Sequence, residues 1–98
     1  MKIKINGIEV IFKDEFLVED FEKVKLPPID LTKMAKGQIE TEDMNRLIPW
    51  LHKWLKIMAG NEASLNVITK ITMPQLFDLV KDLKFMEFMK RSIGADTL

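Results

Sequence analysis

Cysteine and tyrosine are absent from this chain of 98 residues, and histidine occurs once, at His52. The missing thiol excludes disulfides, thiolate nucleophiles and cysteine-zinc sites together. With a single imidazole and two serines, the usual nucleophile–base pairs cannot be assembled. The four glycines sit singly at turns and helix ends, so there is no Gly-rich phosphate loop. Net charge is also lacking, since Lys plus Arg and Asp plus Glu number 15 each. A phosphate-binding surface needs an excess of cations, which counts against nucleic acid as a partner. No apolar run has the length of a signal peptide or a transmembrane helix.

What remains is a hydrophobic fraction of 47% in one domain-sized chain, enough for a small core and too much for a disordered tail. Residues 41–60, TEDMNRLIPWLHKWLKIMAG, read as the organising helix, over 42–59. Thr41 stands at the N-cap position, Glu42 and Asp43 follow at the positive end of the dipole, and Gly60 suits a left-handed C-cap. Met44, Ile48, Leu51, Leu55 and Met58 stack on one face. Leu47, Trp50, Trp54 and Ile57 widen the arc to roughly half the circumference, opposite Arg46, Lys53 and Lys56. Both tryptophans then lie along one margin of the arc. They either cover the edge of a small core or form a partner-binding rim, where Trp is enriched. Pro49 removes one backbone donor and predicts a kink near Asn45–Ile48.

Residues 1–13 carry the strongest local signal. Asn6-Gly7 between alternating apolar residues is the recipe for a two-residue type I′ hairpin. In that register Ile5 faces Ile8, Ile3 faces Val10 and Met1 faces Phe12, all on one face, with Lys4 opposite Glu9 on the other. Such a face needs helices or another chain to cover it.

Further helices are predicted over 17–24, 31–36, 62–69 and 73–92. Leu17, Phe21 and Val24 share a stripe, and Leu26-Pro27-Pro28 stops that helix. Asp30 caps the second, and Asn61 or Ser64 the third. Thr72-Met-Pro-Gln75 is a capping box with proline in the first turn. Leu76, Leu79, Val80, Leu83 and Met86 form a core stripe, but Phe85, Phe88 and Met89 point roughly opposite. Either this helix bends or ends near Lys84, or its last turns are covered by the hairpin or a second protein. Exposed Phe and Met suit adaptable partner binding, so Phe85, Phe88 and Met89 join Trp50, Trp54 and Ile57 as candidate protein-binding residues. The expected fold is mostly α with some β: an N-terminal hairpin on a bundle of four to five helices. No catalytic residue, cofactor or metal is expected. His52 falls on the polar side, and neither Glu42/Asp43 nor Asp78/Asp82 comes with a histidine cluster.

The order of elements resembles a family. A hairpin with an ING turn (KIKINGIEVIFK), a small acidic helix (LVEDFEKV), a helical middle and a short helix before KITMPQLFDLVKDLKF is similar to the small tail assembly chaperones of long-tailed bacteriophages. The resemblance implies a non-enzymatic protein of the host cytoplasm that coats the tape measure protein, helps recruit tail tube subunits, self-associates and is made beside a longer, frameshifted form. Two other readings stand beside it. One is a small regulatory or antitoxin-like protein; the other is a nucleic-acid-binding module using Arg46, Lys53 and Lys56.

Overall fold

The computed structural model describes residues 1–95. Two strands, β1 (Lys2–Ile5) and β2 (Ile8–Ile11), form an antiparallel hairpin. Six helices follow: α1 (Val18–Val24), α2 (Leu31–Ala35), α3 (Thr41–Met58), α4 (Glu62–Thr69), α5 (Met73–Lys81) and α6 (Leu83–Ser92). The fold is mostly α with an N-terminal hairpin, as the pattern predicts, with one helix more than expected.

The hairpin has the predicted register, with Ile5 opposite Ile8, Lys4 opposite Glu9 and Ile3 opposite Val10. Asn6 (φ 54°) and Gly7 (φ 77°) both take the positive φ of a type I′ turn. Met1 and Phe12 extend the ladder by exchanging backbone hydrogen bonds of 3.1 and 2.8 Å. Ile5, Val10 and Phe12 are buried, while Ile8, at the turn end of the same face, stays 52% exposed.

Local capping chemistry sets most helix starts. Asp30 accepts from the Thr32 N–H, Asn61 from the Ser64 N–H, and Thr72 and Gln75 exchange the two bonds of a capping box. The central helix differs in detail. Its N-cap is Glu40 rather than Thr41, and Asp43 reaches back to accept from the Glu40 N–H at 3.2 Å. Pro49 lies inside an unbroken helix, on its exposed side. Gly60 is not a left-handed cap. Its N–H donates to the Ile11 carbonyl at 2.7 Å, and a Cβ there would sit 3.1 Å from Ile11 Cγ2. Glycine serves here because two backbones approach closely.

The predicted helix over 73–92 is two helices. Asp82 leaves helical geometry (φ −74°, ψ 114°), ends α5, and caps α6 by accepting from the Phe85 N–H at 3.0 Å. This break resolves the face change. Released from the phase of α5, α6 turns Phe85, Phe88 and Met89 to the same core as Leu76 and Leu79. Leu83, predicted in the core stripe, is the first residue of α6 and is 79% exposed.

Candidate protein-binding surface

Five of the six residues proposed for a partner surface are core. Trp54, Phe85 and Met89 are fully buried, Trp50 and Phe88 are nearly so, and Ile57 is half-buried against the same cluster. The face of α3 that goes under runs through Leu47, Trp50, Leu51, Trp54, Leu55 and Met58, so Trp54 lies near the middle of the buried arc. Met44 and Ile48, read as its centre, are half-buried.

The rings meet one another. Trp50 stacks on Trp54 with centroids 6.3 Å apart, and Trp54 meets Phe85 and Phe88 edge-on, each at 6.1 Å. Phe12, from the end of the hairpin, lies 6.2 Å from Phe85 and 6.3 Å from Phe88. The hairpin, one of the alternatives the sequence left open, is therefore what covers the last helix. Aromatic pairs in these arrangements add about 0.5–1.5 kcal/mol each beyond the area they bury.

Trp50 is further held by donating its Nε1–H to the Lys25 carbonyl at 2.9 Å. Lys25 has φ 67° and ψ −175°, backbone space that usually belongs to glycine, just before Leu26-Pro27-Pro28. The indole N–H of Trp54 is buried with no hydrogen-bond partner among the described residues.

Two buried carboxylates were not anticipated as anchors. Asp20 accepts from Lys13 Nζ at 2.9 Å and from the Leu17 N–H at 3.1 Å. Burial works to raise its pKa, but these two donors outweigh it and hold the carboxyl below its ordinary value. Asp43 lies below its ordinary value chiefly through the Glu40 N–H, against burial and with help from Lys33 and Arg46. Arg46 Nη2 donates to Asp43 at 3.0 Å, so one of the three cations of α3 is committed to a helix start. The signal available in the sequence was the third-position carboxylate of each helix, the partner half of a capping box.

His52 is not simply a solvated surface residue. Its Nε2 donates to the Ile68 carbonyl at 2.9 Å and ties α3 to α4. No group of three or more His, Asp or Glu among the described residues can hold a metal ion, and no described helix is long and apolar enough to cross a membrane.

The apolar side chains that do reach solvent lie elsewhere. Ile8 and half-buried Val67 line an open cleft of about 300 Å³ between the hairpin turn, α4 and the start of α5, with Asn6, Asn66, Lys70 and Gln75 around it. Leu17, Val18 and Leu26, on and beside α1, are exposed as well. Exposure of Ile8 follows from its place next to the hairpin turn, where it borders the open cleft rather than the packed core. No protein-family model, no curated protein and no solved structure matches this chain.

Proposed function

We propose that this protein is a non-enzymatic tail assembly chaperone of a long-tailed bacteriophage, acting in the host cytoplasm on helical segments of the tape measure protein and on tail tube subunits. The observation that carries the reading is the Ile8–Val67 cleft, an apolar hollow with a polar border on an otherwise well-packed domain. An amphipathic helix seats its apolar anchors in such a hollow and leaves its polar face in water. The order of elements supports the choice of family, and self-association through this cleft is part of the proposal. The neutral charge balance and the lone, carbonyl-bonded imidazole favour binding over chemistry.

The test is co-expression with a tape measure protein from a phage that encodes this chain. The chaperone should move the tape measure protein into the soluble fraction. Ile8→Glu, a change at an exposed position, should abolish that rescue while leaving the circular dichroism and the urea midpoint of the domain nearly unchanged. A tape measure protein that stays insoluble would reject the reading. Suppression of the growth defect of a neighbouring toxin would instead support the regulatory, antitoxin-like alternative.

A further inference from the structure

The hairpin offers a second, different surface along β1. Ile5 and Ile8 are the hydrogen-bonded pair next to the turn, so Lys4/Glu9 and Lys2/Ile11 are non-hydrogen-bonded pairs. In such pairs the backbone N–H and C=O groups point away from the partner strand. On β2, Ile11 uses them, donating to Ser64 Oγ at 2.9 Å and accepting from the Gly60 N–H at 2.7 Å, while those of Glu9 have no partner among the described residues. On β1, the corresponding groups of Lys2 and Lys4 have no partner among the described residues.

This free edge is one wall of a groove. Opposite Lys4 and Asn6 stand Gln75 and Asp78 of α5 and Asp82 just after it, with buried Leu79 between them, around a hollow of about 160 Å³. Gln75 also lines the cleft at the hairpin turn, and Lys84 lines a second hollow beside Lys2, so residues of α5 and of the start of α6 stand near both ends of β1. That second hollow, about 510 Å³, carries Lys2, Lys84 and Arg91, with Asp14 as its one acidic residue. The helical wall beside Lys4 and Asn6 is thus acidic, whereas the hollow at the Met1 end of β1 is predominantly basic.

The geometry points to the β1 edge as a docking site for an extended segment of a partner protein, added as a third strand in the groove between β1 and α5. The segment carries basic side chains at the end beside Asp78 and Asp82, and acidic ones at the end beside Lys2, Lys84 and Arg91. Main-chain hydrogen bonds to Lys2 and Lys4 supply the affinity, and the charge polarity sets the direction. A second copy of β1 does not fit. Its only charges are lysines, which edge-to-edge pairing would bring onto the same face as Lys2 and Lys4, and like charges there repel. This inference is independent of the Ile8–Val67 cleft and asks for an extended partner rather than a helical one.

The experiment is a backbone amide NMR titration of the whole chain at low ionic strength. The probe is a capped octapeptide with two lysines in its first half, two glutamates in its second, and valine or threonine between them. The peptide should shift the Lys2 and Lys4 amides, and N-methylating the amides along one of its edges should abolish binding. Lys4→Pro removes a donor that β2 does not use, and should weaken binding by about tenfold or more. Asp78→Lys, at an exposed helix position that leaves the fold intact, should weaken it by about three- to tenfold. β1 amides that do not move with the peptide, equal binding of the N-methylated peptide, or amide shifts that follow protein concentration alone would each overturn the proposal.

Discussion

The two edges of the hairpin are built from similar strands and meet opposite fates. The outer edge of β2 is closed at its Ile11 end by backbone and side chain together: Gly60 and Ser64 take the two groups of Ile11, and the Lys13 N–H donates to the Met58 carbonyl at 2.8 Å. The end of α3 thereby acts as a short third strand, with Phe12 and Ala59 bridging across it. The outer edge of β1 has no such cover and carries Lys2 and Lys4 instead. A strand edge must be covered or charged if it is not to pair at random, and this small domain uses one device on each side. Closing the β2 edge also fixes Phe12 over Phe85 and Phe88, so that edge belongs to the core and the other does not.

The largest expected difference comes from placing proline on each edge. Ile11→Pro removes the donor to Ser64 and should cost about 2–4 kcal/mol in urea unfolding. Lys4→Pro should cost less than about 1 kcal/mol, because its N–H is already outside the ladder. Equal costs would show that the β2 edge is not the one that is locked. Ser64→Ala is the next test. It leaves the Ile11 N–H without its acceptor in a closed site, for a loss of about 1–3 kcal/mol. A smaller loss would assign most of the closure to Gly60.

The smallest effect concerns acid. Lys13, the residue that follows the closed edge, holds Asp20 at 2.9 Å, and the folded-state pKa of Asp20 lies below its ordinary value of 3.8. A lowered carboxylate stabilises the fold fully above its unfolded pKa, and that contribution is lost as pH falls through the folded value. Asp43 has the same sign. The urea midpoint should therefore drop as pH is lowered below about 4, and Asp20→Asn should make that drop shallower. An unchanged acid profile would mean that the Lys13–Asp20 bond adds nothing across the junction between the hairpin and α1.

Much of the fold could be read from local rules. The hairpin register follows from Asn6-Gly7 and the two-residue period of apolar side chains. The starts of α2, α4 and α5 follow from Asp30, Asn61 and Thr72, whose side chains cap their own helices. The candidate site was far less legible. Trp50, Trp54, Phe85, Phe88 and Met89 were singled out as apolar with two readings open, core or partner surface, and packing puts all five in the core. For α6 the cause of the ambiguity was Asp82, weighed only as half of an acidic pair when it is the N-cap that breaks the helix. For α3 it was the assumption that the apolar arc is buried about its own centre.

Taken alone, the chain determines its periods, its turn and its caps, because each depends on residues within one turn of each other. It determines too that thiol and phosphate-loop chemistry are missing, since no fold can supply residues a chain lacks. Only the tertiary structure decides which flank of an amphipathic helix goes under, which edge of a hairpin is closed, and that Gly60 is needed for a close approach rather than for a cap. Those outcomes depend on contacts between residues far apart in sequence, such as Ile11 with Ser64 and Phe12 with Phe85. Their partners are chosen by how whole elements pack together, which no local spacing encodes.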